Sequence, residues 1–462
     1  MLARMHPRAT LAATILGSSL AFIDGSIVNV ALPALALNLH VGASNLPWVI
    51  NAYLLPLGAL TLLGGALGDH FGRRRLFHAG LSIFTLASAA CAASPSLGWL
   101  LAARGLQGLG AALLMPNSLA ILGGSFVGEA RGRAIGTWAA VGALAGALGP
   151  IVGGWIVDTV GWRTIFLINL PIAAAAGYLS WNYVDELKDS IRAAPLDTAG
   201  AALATVALGL LTWSLTDASD SSGGHAGAWV AALGGCVLLG LFLWLEGKLN
   251  DRAIMPLDMF GARNFVGLNL LTFFIYGGMG GLFVLLPFLL IRIDSWPAIA
   301  AGASLLPVPV LIGFGSRLMG RVSARHGERL PLIVGASLVA IGFALYARVG
   351  PDAIEYWRDI FPPTMLIAVG MTACVAPLTT SIMTSVDATH VGLASGFNSA
   401  VARVAGLIAT ALLGFVFARQ GSAQSFLNAF RLAALIGAAS AALAAASAAL
   451  LIDSNADRAR RV

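Results

Sequence analysis

Long apolar runs separated by short polar stretches follow one another along the whole chain. A helix needs about 20 mostly apolar residues to cross the hydrocarbon core of a bilayer. About fourteen runs approach or exceed this length, and they predict as many transmembrane helices. The runs are 11–37, 46–68, 76–95, 98–122, 134–157, 164–184, 198–216, 228–246, 264–291, 297–319, 330–349, 361–385, 391–418 and 428–452.

The two longest polar stretches divide the predicted helices into three groups. They lie near Asp185–Leu196 and Glu246–Asn264 and have the size of linkers. We therefore predict an N-terminal six-helix half at residues 1–190, two additional transmembrane helices with their linkers at 191–258, and a C-terminal six-helix half at 259–462. Neither stretch is long enough for a large soluble domain.

The composition is that of a polytopic, all-α membrane protein. Hydrophobic residues make up 58% of the chain and charged residues only 10%, whereas soluble domains carry about 25% charged residues. The 55 glycines favour close packing of membrane helices, because small side chains let helix backbones approach. The net charge of +6 does not indicate nucleic acid binding, because the basic residues lie between the apolar runs and form no soluble basic face.

The basic residues favour one orientation in the membrane. With the N-terminus in the cytoplasm, the cytoplasmic stretches hold about three times as many Lys and Arg residues as the opposite ones, as the positive-inside rule predicts. We therefore expect a multi-pass protein of the cell's inner (plasma) membrane, with both termini in the cytoplasm.

One acid, Asp24, lies deep inside the first apolar run, in the segment SSLAFIDGSIVNVALPAL. A charged group at this depth is unfavourable by about 2.5–3.5 kcal/mol on insertion scales, so its presence suggests a function. Counted from Leu11, it lies about 20 Å along the helix, too deep to anchor at an interface. Our hypothesis is that Asp24 carries a proton or holds a cationic substrate, with Arg104 of the fourth run as its partner. The alternative is a static buried pair, or a carboxyl group bonded to Ser26 or Asn29.

The turn between the second and third runs, GGALGDHFGRRRLF, combines glycines with charged residues. Its candidate gate residues are Gly65, Gly68, Asp69, Gly72, Arg73 and Arg75. Asp69 is predicted to pair with the arginines or with a neighbouring helix N-terminus, and so to hold the two halves closed on the inner side. A plain glycine turn with arginines as topology anchors is the alternative.

The fourth and fifth runs add two further patterns. LAARGLQGLGAALLMPNSLAIL places Arg104 inside a span, where snorkelling towards the interface is the alternative explanation. GALAGALGPIVGGWI is dense in glycine, and its small residues four apart predict close helix contacts. A helix that only packs against its neighbours remains the alternative for this segment.

Together these segments resemble the major facilitator superfamily. The turn resembles the family's signature between helices two and three, and Arg104-x-x-Gln107-Gly108-x-Gly110 resembles its helix-four signature. IDGSIVNVALP and WRTIFLINLPI are similar to segments of the fourteen-helix drug:proton antiporter branch. The pattern associated with antiporters in helix five is matched by Gly142, Gly146, Gly149, Pro150, Gly153 and Gly154.

The second half of the chain departs from the family pattern in places. In MGRVSARHGER, Ala324 stands where the repeat of the Asp69 turn would have an acid. GFNSAVARVAGLIATALLG keeps Arg403, but Ala405 replaces a usual glycine. These departures leave the substrate open. Further candidate site residues are Asn29, Gln107 and Arg403.

The resemblance implies two six-helix halves around a central cavity, plus two extra central helices, with transport by alternating rocking of the halves. The leading function is a proton-coupled antiporter that exports hydrophobic or monocationic drugs and toxic compounds. A proton-coupled transporter of one specific metabolite is the main alternative, and a membrane enzyme or receptor comes third.

The expected partners are a small-molecule substrate, protons and the lipid bilayer, without nucleic acid, and we expect a monomer. The sequence has no GxxxxGK[ST], G-x-S-x-G or H-E-x-x-H motif. We therefore expect no enzymatic activity, cofactor or metal.

Overall fold

The computed structural model describes residues 6–42, 45–186, 197–217, 226–249, 257–350, 353–386, 391–417 and 422–453. These ranges are mostly helical and contain no strand. The first helices are α1 (Pro7–Asn38), α2 (Pro47–Phe71), α3 (Arg73–Ala92), α4 (Leu97–Ser125), α5 (Gly128–Thr159), α6 (Thr164–Leu167) and α7 (Asn169–Tyr183). They are followed by α8 (Thr198–Asp217) and α9 (Ala226–Leu249).

The remaining helices are α10 (Arg263–Arg292), α11 (Ala298–Ala303), α12 (Pro307–His326), α13 (Arg329–Tyr346), α14 (Phe361–Thr384), α15 (Val391–Phe417) and α16 (Ala423–Leu451). A 3-10 helix (Leu257–Gly261) precedes α10, and a π-helical turn (Tyr356–Ile360) precedes α14.

The predicted number of transmembrane helices is confirmed. Thirteen helical segments among the described residues are long and apolar enough to cross a membrane. The two parts of α2, bent by 53° relative to each other, meet this criterion together, and counting them as one span gives fourteen. In this count α6 continues into α7, and α11 into α12. The described residues therefore form the predicted all-α architecture of about fourteen transmembrane helices, in which α8 and α9 lie along the chain between the two predicted six-helix halves.

Two of the predicted runs, 164–184 and 297–319, are broken helices. Proline has no backbone N–H and cannot bond to the carbonyl four residues earlier. Pro171 lies three residues into α7, just after the break at Ile168. Pro307 begins α12, just after the end of α11. Hydropathy alone does not show such a break, and the proline is its local signal in the sequence.

Corresponding turns in the two halves use glycine in the same way. Gly72, between α2 and α3, has φ 111°, and Gly327, between α12 and α13, has φ 87°. Residues with a Cβ rarely adopt these angles. The second turn thus keeps the backbone of the first, although its sequence has Ala324 in place of the expected acid.

The buried apolar residues join the two halves at one end of the bundle. We call the end where α1 begins proximal and the end where α1 finishes distal. One apolar cluster contains distal N-terminal residues such as Leu35 and Phe166 together with Leu286 and Leu305 of the C-terminal half. A second buried cluster, of residues between 13 and 184, has no member from the C-terminal half among the described residues. The common core therefore closes the distal end.

The extra helices α8 and α9 pack against each other. Helix α8 also contacts α2 of the first half and α15 of the second. The predicted division into three parts is compatible with this placement, but its first boundary, 190/191, lies outside the described residues. The division remains a prediction.

Candidate functional site

Asp24 lies near the middle of α1 and is completely buried. Its Oδ2 atom forms an ion pair with Nη1 of Arg104 on α4, whose side chain is only 1% exposed. The structure thus brings together the two residues that the sequence analysis singled out. The guanidinium group neutralises the carboxylate where neither is hydrated.

Three more polar side chains complete the surroundings of Asp24. Gln107 donates from Nε2 to Asp24 Oδ1 (2.8 Å) and to Ser88 Oγ (2.9 Å). Asn169 donates from Nδ2 to the same two acceptors, at 3.3 and 3.2 Å. Arg104 Nη1 also donates to Gln107 Oε1 (2.7 Å), because residues three apart share one helix face. We call Asp24, Ser88, Arg104, Gln107 and Asn169 the Asp24 cluster.

Helix α2 holds the other side of Arg104. Nε of Arg104 donates to the Val49 carbonyl oxygen (3.0 Å), and the Arg104 guanidinium carbon lies 4.4 Å from the centre of the Tyr53 ring. The Tyr53 hydroxyl donates to the Ala21 carbonyl oxygen (3.1 Å). The Asp24 cluster is therefore held by helices of the N-terminal half on every side for which contacts are described.

The alternative partners considered for Asp24 do not bond to it. The Ser26 hydroxyl donates to the carbonyl oxygens of Phe22 and Ile23. Asn29 is 6% exposed, and its Oδ1 has no hydrogen-bond partner in the described part of the chain.

Sequence reasoning missed Ser88 and Asn169 as members of the cluster. Asn169 lies in the family-like segment WRTIFLINLPI, which was a usable signal. Ser88 is a small polar residue in an apolar helix and carries no such signal.

The residues of the predicted gate form contacts within the N-terminal half. Asp69 pairs with Nε of Arg73 at 2.9 Å, and Arg73 Nη1 donates to the Ala120 carbonyl oxygen (3.3 Å). Arg75, which is largely exposed, lies 3.7 Å from Glu186. The described contacts of Asp69 do not reach the C-terminal half, so its predicted role in closing the inner side remains a prediction.

Gly68 allows the close approach of α4 to α2, because a Cβ there would overlap the Asn117 amide. A Cβ on Gly65 would make an ordinary contact of 3.5 Å with Pro116. Gly72 supplies the turn itself.

The glycines of α5 lie on two faces of the helix, each packed against a different neighbour. Gly142, Gly146, Gly149 and Gly153 face α1; a Cβ on Gly149 would overlap Ser26 Oγ and lie 3.1 Å from the Ile23 carbonyl oxygen. Gly154 instead faces Ala298, and the backbone of Pro150 lies against Gly302. Helix α5 therefore packs against α1 on one face and against α11, in the other half, on the second.

The distal end of α5 also carries an acid that sequence reasoning missed. The Asp158 carboxylate accepts hydrogen bonds from the backbone N–H groups of Ala298 (3.2 Å) and Ile299 (3.0 Å), which begin α11. These groups have no partner within their own helix, and a carboxylate is favourable there. We call Asp158, Ala298 and Ile299 the distal contact; it joins the two halves.

Arg403 lies midway along α15 and contacts the opposite half. Its Nη1 donates to Thr61 Oγ1 (2.7 Å) and approaches the Leu57 carbonyl oxygen (3.5 Å). Gly58 faces Arg403, and a Cβ there would make an ordinary contact of 3.5 Å with the Cβ of Arg403. Arg403 is thus a cationic contact across the seam between α2 and α15, apart from the Asp24 cluster.

An apolar crevice of about 450 Å³ lies within the C-terminal half. Its walls come from α10, α13, α15 and α16 and include Phe273, Phe343, Leu412, Phe430 and Ile436. Leu412 and Ile436 are exposed, so the crevice opens on the apolar outer surface of the bundle.

Comparison with known proteins places this architecture in a family. The model of the Major Facilitator Superfamily matches residues 14–410. The chain is 33% identical to the multidrug resistance protein Stp of Mycobacterium tuberculosis (strain CDC 1551 / Oshkosh), over 88% of this chain and 75% of that protein. It is 32% identical to the methylenomycin A resistance protein of Bacillus subtilis (strain 168), over 87% and 85% of the two chains.

A third relative is the tetracenomycin C resistance and export protein of Streptomyces glaucescens, 30% identical over 90% of this chain and 77% of that protein. Among solved structures, one from a study of substrate recognition in proton dependent oligopeptide transporters aligns with 98% of this chain and all of the other, with a TM-score of 0.67 and 17% identity. At this identity the match supports the fold only. The match to the family model over most of the chain, with these relatives, shows that the protein belongs to the major facilitator superfamily.

Proposed function

We propose that the protein is a proton-coupled antiporter that exports hydrophobic or monocationic drugs and toxic compounds by alternating access. The observation that carries this proposal is the similarity along nearly 90% of the chain to proteins named for drug resistance and export. A transporter of this family moves small molecules without enzymatic chemistry, and we propose that it acts as a monomer.

Alternating access is supported by the unequal closure of the two ends. The common apolar core, the approach of α5 to α11 and the distal contact close the distal end. The Asp69 turn at the other end forms its described contacts within one half. Outward opening would break the distal contact, and closing the proximal end would bring the Asp69 turn against the other half.

Proton coupling is supported by the Asp24 cluster. The paired carboxylate is compensated by Arg104, so binding of a proton to Asp24 would leave the guanidinium group without its counter-ion. A change in charge at a buried site can favour a different conformation of the protein. Asp24 and Arg104 would then be the coupling residues, with Gln107 and Asn169 orienting the carboxylate.

The cluster also bears on the substrate. A monocationic compound would have to compete with Arg104 for Asp24, whereas a neutral hydrophobic compound needs only apolar walls. Within the proposed range, the described contacts therefore favour hydrophobic compounds.

The orientation belongs to the proposal as well. We assign the proximal end to the cytoplasm and the membrane to the cell's inner membrane, from the distribution of Lys and Arg. An epitope tag at Val462, which lies outside the described residues, should be accessible only after the cells are permeabilised. A tag accessible from outside intact cells would contradict this orientation.

Inverted membrane vesicles with an imposed proton gradient test the function. Dyes, quaternary ammonium compounds and antibiotics should accumulate in wild-type vesicles and be lost when a protonophore is added. Asp24→Asn, at equal expression, should abolish the proton-driven part. Uptake of a single metabolite without any of the drugs would favour the specific transporter instead.

A further inference from the structure

Arg403 has no acidic partner. It lies at about the middle of α15, and no carboxylate lies within ion-pair distance of it among the described residues. Arg104, the buried arginine of α4, is compensated by Asp24. Among the described residues, therefore, Arg104 has an acidic partner and Arg403 has none, and an uncompensated charge within a span is unfavourable.

Only one edge of the Arg403 guanidinium group is occupied. Nη1 bonds to Thr61 and Leu57, whereas Nε and Nη2 have no hydrogen bond in the described part of the structure. These two donors form the edge that binds a carboxylate through two parallel hydrogen bonds. Arg403 is also partly accessible, whereas Arg104 is not.

We propose that Arg403 is the anion-accepting subsite of the transport path, and that the cargo includes compounds with one negatively charged group on an apolar body. The carboxylate or sulfonate of such a compound would bind the free edge of the guanidinium group, and its apolar body would lie along α2 and α15. The inference rests on the proposed export function and adds a charge class to it. A contact that only ties α15 to α2 is the competing explanation.

Three ligands of the same shape test the charge class: 2-naphthoate, 2-naphthylmethanol and 2-naphthylmethylammonium. Their affinities for the full-length protein in phosphatidylcholine nanodiscs would be measured by calorimetry, in gluconate buffer and again with chloride. Wild type should bind 2-naphthoate about tenfold more tightly than the alcohol, and Arg403→Gln should remove this preference while changing the affinity for the alcohol less than about twofold. Arg403→Lys should keep part of it.

Two further variants separate binding from a structural role. Arg317→Gln removes the same charge from an exposed position on α12 and should leave the preference intact. Thr61→Val removes one partner of Arg403 and should leave 2-naphthoate binding within about twofold of wild type, because it frees a donor.

Equal affinities of wild type for the anion and the alcohol would overturn the inference. A parallel loss of affinity for both ligands in Arg403→Gln and Thr61→Val would also overturn it, because it indicates that Arg403 only ties α15 to α2. Competition in which chloride displaces 2-naphthoate as effectively as another organic anion would do the same, because it indicates a site for an inorganic anion. The binding assay uses no proton gradient, so a failure of proton-driven export in vesicles would count against the proposed function and not against this subsite.

Discussion

Single residues of the Asp24 cluster depend on one another because the site is buried. Each hydrogen bond or ion pair there has two partners, and removal of one leaves the other unpaired without water. The effect of a substitution therefore includes the charge or donor that remains, and single and double variants separate a structural pair from a functional one.

Arg104→Ala should be among the most destabilising single substitutions in the chain. It leaves the completely buried Asp24 carboxylate without its counter-ion, which is unfavourable by about 3–5 kcal/mol. Asp24→Asn combined with Arg104→Gln should regain much of the loss, because both charges are absent. Thermal unfolding of the purified protein in one detergent would measure both.

Transport by the same variants distinguishes the two hypotheses for Asp24. If the acid carries the proton, the stable double variant should show no proton-driven export. Export at the wild-type rate by that variant would show that Asp24 and Arg104 form a static pair without a role in proton coupling.

At the scale of helices, α5 shows which glycines are needed for close packing and which are not. Gly149 lies against α1, whereas a Cβ on Gly136, in the same helix, would meet nothing within 4 Å. The two glycines have the same intrinsic effect on the helix but different surroundings.

Gly149→Ala should reduce transport and Gly149→Leu should abolish it, because a side chain there would push α5 away from Ser26 and Ile23 of α1. Gly136→Ala is the matched control and should leave transport unchanged, with a gain in stability of up to about 1 kcal/mol from helix propensity. Export rates would be compared at equal amounts of protein in the membrane. Normal export by Gly149→Leu would contradict the close-packing role of this face.

The helices were largely predictable from the sequence, and their contacts were less so. An apolar run of about 20 residues is sufficient to predict a span, which is why α8 and α9 were found. The breaks before Asn169 and Pro307 were not predicted, because the runs stay apolar across them. Asp158 and Ala298 are 140 positions apart, and no local pattern links an acid at one helix end to the start of a distant helix.

For the whole molecule, two acids at opposite ends are placed to affect the balance between conformations in opposite directions. Asp158 joins the halves at the distal end in the structure described. Asp69 is predicted to join them at the proximal end in the alternative conformation. Each should stabilise the state in which its own end is closed.

Asp69→Asn should favour the conformation with the proximal end open. It removes the charge that pairs with Arg73 and, by our proposal, the contact that holds the proximal end closed. Transport should slow while substrate binding stays measurable. Loss of binding with a normal transport cycle would contradict this role.

Asp158→Asn should have the opposite effect on the conformational balance. The amide of Asn has only one oxygen that accepts hydrogen bonds, whereas the Asp158 carboxylate accepts from both Ala298 and Ile299. The contact between α5 and α11 is therefore weaker in the variant. Distances between spin labels on the distal ends of α5 and α12 should shift towards the longer population, and in Asp69→Asn towards the shorter one. Asp158→Glu keeps both acceptors and is the matched control. Unchanged distances in Asp158→Asn would mean that the common apolar core alone holds the distal end closed.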